Sequence, residues 1–387
     1  MMSEFVRSTR RGRIVWALLA VAWLLLLSSV RSELGPSLRA GETETPPQEL
    51  PLQVQVDPRV ELLSIIFCFA GDYVYNIGQV ESYSNDVQEH FGPFRNHSVV
   101  KLARELRNRR TMSADGPMSM AVHVEDALTL KEIVPFDQKP EHLDGRWTVD
   151  EARDFLEAAR QFIKDAKFED FIKEHQPLYR TTESRLEALL ASHTHLEWFD
   201  ELFGKRLEAS YTVVPAPLNG RANYGVACRT ADGKESLYCI LGVWQTDDDG
   251  MPQFLHTGVS GIVVHEFCHS YTNRFVDQYE AQLEPAGRKI FPHVATAMKK
   301  QGYHRWKSMM CESLVRACTV RYVERYSGGP AALKVVWSEK GRQFLWIGEP
   351  SKLLAEYETH RDQYPTFDSF MPRIVTFFDQ YAENLDR

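Results

Sequence analysis

The segment GIVVHEFCHSYTNR, residues 261–274, constrains the fold more than any other part of this 387-residue chain. Val259, Ile262, Val263, Glu266, Phe267 and Tyr271 recur at helical spacing, so the segment predicts a helix with an apolar face. Into that helix the sequence sets two histidines and a glutamate. His265 and His269 are four residues apart. On a helix they lie one turn apart on the same face, with Cβ atoms roughly 5–6 Å apart. Two imidazoles so placed can bind one tetrahedral zinc ion. Glu266 is rotated about 100° from His265. It reaches a water at the metal without ligating the ion, which is the position of a general base. The competing reading is two surface histidines on an ordinary helix. Ile262, Val263 and Phe267 argue for burial instead, and buried, closely spaced His and Glu need a partner.

Two histidines leave a third protein ligand to be found. Thr272 and Phe275 stand where the HExxHxxGxxH pattern needs Gly and His, so that pattern is excluded. Asp277 is eight residues past His269, about 12 Å along a continuing helix, which is too far. Glu280 would need a sharp turn first. His293 and His304 lack a helical context. Glu312 is the best choice. It lies in HRWKSMMCESLVRACTVRYVERY, residues 304–326, where Trp306, Met309, Met310, Leu314, Val315, Ala317, Cys318 and Val323 predict a long, largely buried helix. A lone buried carboxylate is costly, and a metal relieves that cost. Arg316, four residues on, could relieve it as an ion pair. Both hold if Arg316 stands behind the ligand.

Hydrophobic residues at 43 % and charged residues at 25 % describe a globular chain. The formal charge of −8 is unevenly spread, because residues 1–32 hold five Arg against one Glu and the remainder is acidic. That balance argues against a nucleic-acid partner, since a phosphate-backbone binder needs excess Lys and Arg on one face. Arg7, Arg10, Arg11 and Arg13 precede an uncharged apolar run over 14–30. Residues 1–32 therefore read as a signal peptide or a single N-terminal membrane anchor. The positive flank would stay in the cytoplasm, leaving the rest exported, anchored in the cell envelope or secreted to it or the periplasm. Residues 33–55 include four Pro and two Gly and read as a flexible linker. Residues 56–387 read as one domain, expected to be catalytic.

Within that domain, 56–80 reads as strand-like through Val60, Leu62, Ile65, Ile66 and Phe67. Residues 97–110 predict an amphipathic helix. Thr148 and Glu151 form a capping box that opens a mostly helical stretch to about Phe203, broken near Pro177. A β-rich stretch over 211–244 carries turn signals at Asn219-Gly220 and Asp232-Gly233. Asp247-Asp248-Asp249-Gly250 lacks the ligand spacing of a calcium loop and reads as a solvated turn. After Met251 the chain is helical. None of the six Cys forms a CxxC pair. Cys228 and Cys239 flank the Asp232-Gly233 turn, where they could face each other as a disulfide. Cys268, Cys311 and Cys318 read as free thiols on helices.

HEFCH on one helix and a glutamate on a later one resembles the gluzincin class of zinc metallopeptidases. The chain resembles more closely a bacterial family of zinc peptidases of this type, catalogued only as a domain of unknown function. NYG at 223–225, HEFCHSYTN at 265–273 and ESLVRACTVRY at 312–322 carry the resemblance, with FRNHSVVKLARELR at 94–107 and YPTFDSF at 364–370. It spans about residues 57–385. Cys268 stands where the family motif has Ser, off the metal-facing side. The resemblance implies an α+β, mostly helical, zincin-like fold: a small sheet packed on the HExxH helix, with the third ligand on a second helix. It also suggests an edge strand above the metal that pairs with substrate. Asn223, Tyr224 and Gly225 are the candidates, because Gly permits close backbone approach; a simple hairpin is the competing reading.

The expected activity is hydrolysis of peptide bonds in a peptide or protein substrate. One zinc ion, held by His265, His269 and Glu312, would activate a water, with Glu266 as general base. Arg316, Tyr322, His293 and Tyr364 are candidate oxyanion donors. Two alternatives stay open. One is a non-catalytic envelope protein with a structural or vestigial zinc site. The other is a zinc hydrolase of a non-peptide amide or ester.

Overall fold

A small sheet buried on both faces organises the chain in a computed structural model that describes residues 52–206 and 209–385. Its strands are β1 (Leu52–Val54), β2 (Ala209–Ala216), β3 (Asn223–Arg229) and β4 (Glu235–Gly242), in the order β1-β2-β4-β3. β1 and β4 run parallel to β2, whereas β3 is antiparallel to β4 and ends the sheet. Side chains alternate along β4: Leu237, Cys239 and Leu241 enter one core, and Ile240 enters the other. The architecture is α+β and mostly helical.

The first core lies under α1 (Pro58–Phe69), α2 (Glu81–Phe91), α3 (Ser98–Arg110), α4 (Asp115–Val122), α5 (Val149–Asp165) and α6 (Phe168–Glu174). α7 (Gln176–Ala191) passes from that core, through Tyr179, to the second, through Leu186. The second core is closed by α8 (Glu197–Phe203), α9 (His256–Gln278), α10 (Glu280–Lys300), α11 (Trp306–Ser327), α12 (Gly329–Gly341), α13 (Gly348–Thr359) and α14 (Phe367–Asn384). β5 (Gln245–Thr246) and β6 (Pro252–Gln253) make a short ribbon around the Asp247 turn. In that turn the Asp247 carboxylate accepts from the backbone of Asp249 and Met251.

Several expectations are met. Thr148 caps α5, and His97 caps α3. The helical stretch breaks at His175, with Pro177 in the first turn of α7. Others are corrected. Residues 58–69 form a helix rather than a strand: Asp57 caps it, Pro58 opens it, and Val60 through Cys68 are all buried. A helix buried all round has no amphipathic period, so its apolar run imitates a buried strand. Residues 52–54, expected in the linker, pair with β2 through Leu52, Gln53 and Val54. Asn219-Gly220 turns the chain without forming a hairpin, because β4 lies between β2 and β3. All six cysteines are free. Cys228 is opposite Ser236 and Cys239 opposite Gly225, an odd offset that sends the two thiols to opposite faces of the sheet.

Among the described residues no helix is long and apolar enough to cross a membrane. The leader at 1–32 and the linker up to residue 51 lie outside the described residues.

Among the described residues the buried side chains of both cores run from Val56 to Ala382, so residues 50–387 carry a hydrophobic interior large enough to be expected to fold by itself. The fragment 50–387 should unfold in one cooperative transition, coincident by far-ultraviolet circular dichroism and tryptophan fluorescence. Loss of fixed near-ultraviolet signal in the fragment would show that the leader is needed.

Candidate metal centre

α9 buries Val263, Val264, Phe267, Cys268 and Tyr271 completely or nearly so. That burial fixes its rotation and leaves His265, Glu266 and His269 on the face toward α11. The two helices run antiparallel. Lys307 at the start of α11 meets Asp277 near the end of α9, with Nζ to Oδ1 at 2.7 Å, and Cys268 contacts Cys318 further along. Glu312 therefore stands opposite the two histidines. Its Oε1 is 3.4 Å from His269 Nε2, and its Oε2 is 3.6 Å from His265 Nε2. All three donor atoms lie within 4.8 Å of one another. A tetrahedral zinc with bonds of about 2.0–2.1 Å holds neighbouring donors about 3.3 Å apart, so donor types and spacing both fit that ion.

The surroundings tune these groups. Burial lowers His265 well below the ordinary histidine range, Arg316, His269 and Arg342 add to this, and Glu312 opposes it. A neutral imidazole keeps a lone pair for a metal. Burial pushes the Glu312 carboxyl up, but Arg316, His269 and His265 together outweigh it and hold it at about 2. Arg316 Nη2 donates to Glu312 Oε2 at 2.8 Å and to the Tyr303 hydroxyl at 3.0 Å, while Nη1 pairs with Glu339 of α12. The Phe344 ring covers this guanidinium at 4.5 Å. Arg316 thus stands behind Glu312. One turn beyond His269, Asn273 Oδ1 lies 3.4 Å from Nδ1, where it favours the tautomer that leaves Nε2 open.

Glu266 is 7 % exposed. Burial and then Glu312 raise its carboxyl to about 7, against the pull of His269, the Gly225 backbone and Arg316. Gly225 has its own reason to be glycine: a Cβ there would sit 2.1 Å from the Glu266 carbonyl oxygen. β3 thus lies backbone to backbone against α9. The ladder parity follows from the Gly242 N–H, which donates to the Ala222 carbonyl at 3.1 Å. Asn223 and Gly225 therefore turn their main-chain groups away from β4, toward the free edge. The close approach that Gly225 permits is to the helix. The Asn223 side chain accepts from Gly242 N at 3.2 Å and from Trp244 Nε1 at 3.4 Å. The Tyr224 hydroxyl is buried on the other face of the sheet.

His265, Glu266, His269, Glu312 and Arg316 thus come together, with Gly225 against them. Tyr322 does not join them. It lies ten residues beyond Glu312 on α11, about 15 Å along the axis, and its hydroxyl accepts from His195 N at 3.0 Å. His293 and His304 are exposed. Tyr364 packs against Phe370. Asp277 and Glu280 both pair with Lys307. Tyr303, Glu339 and Asn273 were missed. Asn273 had a legible signal, four residues after His269. Tyr303 and Glu339 reach the site through tertiary packing alone.

A protein-family model described as "Domain of unknown function (DUF4932)" matches residues 52–377. No curated protein and no solved structure matches the chain.

The approach at Gly225 is testable by Gly225→Ala. The added methyl must push β3 off α9, and overpacking of this kind costs about 1–3 kcal/mol. The variant should lose that much stability in urea titration. Unchanged stability would mean that the strand can move aside freely.

Proposed function

The chain belongs to the DUF4932 family, whose description names no activity, and we propose that it is a zinc-dependent hydrolase of peptide bonds. The observation that carries this reading is the convergence of His265, His269 and Glu312 from two helices, with the buried Glu266 carboxylate beside them. A small sheet against the HEFCH helix, and a second helix supplying the glutamate, support the zincin-like, gluzincin-type fold that the motifs imply.

His265, His269 and Glu312 would hold the ion. When bound, zinc supplies a Lewis acid for the scissile carbonyl and acidifies a water. Glu266 takes that water's proton and returns it to the leaving amine. A dication beside Glu266 would draw its pKa down from the raised value, leaving the carboxylate able to accept the proton. The Gly225 backbone orients Glu266 for this step. The outward main-chain groups of Asn223 and the Gly225 carbonyl are the edge on which an extended substrate would pair. Arg316 fixes the Glu312 carboxylate. Tyr303 replaces Tyr322 as oxyanion donor: its hydroxyl already accepts from Arg316, which leaves its own proton to donate. A closed structural site has no use for Glu266, which favours a hydrolase over a structural zinc.

The decisive experiment pairs metal analysis with turnover of a peptide library by the full chain. Glu266→Gln should keep one zinc per chain and lower kcat at least 1,000-fold, whereas His269→Ala should lose the zinc. Full activity in Glu266→Gln would refute the mechanism, and metal-loaded wild-type protein that cleaves no peptide would refute the substrate class. Tyr303→Phe should lower kcat about 100-fold with zinc retained, while Tyr322→Phe leaves kcat unchanged. The reverse pattern would exclude Tyr303 as the donor.

A further inference from the structure

α12 departs from the usual rule for a surface helix. Leu333, Trp337 and Lys340 follow at i, i+4 and i+7, so they form one stripe. Leu333 is 55 % exposed and Trp337 68 %, and Leu345 just beyond the helix is 46 % exposed. The described residues expose five large hydrophobics, and three of them fall within 333–345. Scattered singly, such residues need no explanation, but a cluster does. Ala332 and Glu339, on a different face of α12, are buried, and Glu339 is tied to Arg316 behind the metal centre. The helix is therefore held firmly from within while its outer stripe is left bare.

Within the segment that carries the stripe, the exposed charges are of one sign. Residues 329–345 contain Lys334, Lys340 and Arg342, and their one acid is the buried Glu339. Yet the whole chain has 53 acidic residues against 45 basic. Tryptophan and leucine on an outward face, flanked by basic residues, match the chemistry of a helix that lies in a lipid headgroup layer. The sequence outside the described residues points to the same occupant. The apolar run at 14–30 reads as a signal peptide or anchor, and residues 31–51, 21 in all, separate it from β1. If that run anchors the protein in a bilayer, docking of the described residues on the same bilayer is intramolecular.

We propose that the outward face of α12, with Leu345, docks on an anionic lipid bilayer. Apolar side chains supply the insertion, and Lys340 and Arg342 meet the headgroups. Such docking would place the His265–His269–Glu312 centre next to the membrane surface. The proposal stands apart from the hydrolase reading, because the test needs no activity.

The test uses fragment 50–387, which carries both cores, and flotation with vesicles of phosphatidylcholine alone or with phosphatidylglycerol. The fragment should float with the phosphatidylglycerol vesicles and be released by raised salt. Leu333→Ser with Trp337→Ser should lower the partition coefficient at least tenfold, with zinc content and near-ultraviolet dichroism unchanged. Lys340→Glu with Arg342→Glu gives a second, independent variant and should weaken partitioning to a similar extent. No flotation with either vesicle would overturn the proposal. So would equal flotation of the serine variant. A dimer in sedimentation that the serine variant abolishes, with no flotation, would instead make the stripe an interface between two copies.

Discussion

A carboxylate held between two imidazoles and a guanidinium is the constraint on which the second half of this structure depends. Glu312 is buried, and so are its neighbours Arg316 and Glu339. Arg316 answers both glutamates, which leaves this buried cluster one negative charge in excess. An uncompensated charge in a protein interior is expensive. His265 is kept neutral by its burial, so it does not repair the deficit. A cation on the imidazole side would. Positive charge is thus favoured on the imidazole side, and the proposed metal would supply it. Arg316 and the two histidines act on opposite sides of one carboxylate, so the ion pair and the metal reading are complementary.

The sheet matters to the site chiefly through one contact. β2, β3 and β4 each give side chains to both cores, and β3 hangs from the outer edge of β4. Because Gly225 lacks a side chain, β3 comes within backbone distance of Glu266. That contact positions Glu266 from a strand, while His265, His269 and Glu312 are positioned from helices. Two independently packed elements therefore meet at adjacent residues of α9. Rigid elements hold such a geometry better than loops do.

How much of this was legible beforehand follows from the range of each signal. HEFCH and the helix around it rest on local periodicity, and both were readable. So was Glu312, because a lone acid in an apolar helix asks for a partner wherever that partner lies. Asn219-Gly220 was readable as a turn, but a turn signal tells that the chain bends and not which strand it will meet. The same limit applies to Cys228 and Cys239, whose pairing needed the ladder register. α1 was read as a strand because its burial on every side erased the helical period. Asp57-Pro58 was the overlooked correction, since a capping Asp and a Pro in the first turn are local signals. Tyr303 and Tyr322 show the remaining gap. Both are tyrosines near Glu312 in sequence, but Tyr322, on α11 with Arg316, meets His195, whereas Tyr303, ahead of α11, folds back onto Arg316.

α12 links the chemistry to the surface. Glu339 anchors it inward on Arg316, and Phe344 covers the same guanidinium from the following turn. Its inner face is thus committed to the charge network, and its outer face is free to be apolar. A helix held only by hydrophobic packing could roll to bury Leu333 and Trp337. This one cannot roll without pulling Glu339 from Arg316, and breaking a buried pair costs about 3–5 kcal/mol. Burying both side chains fully would return roughly 3–6 kcal/mol, a gain of the same order, so the pair opposes the roll. The bare stripe and the anchoring of Glu312 are therefore linked through Arg316 and Glu339.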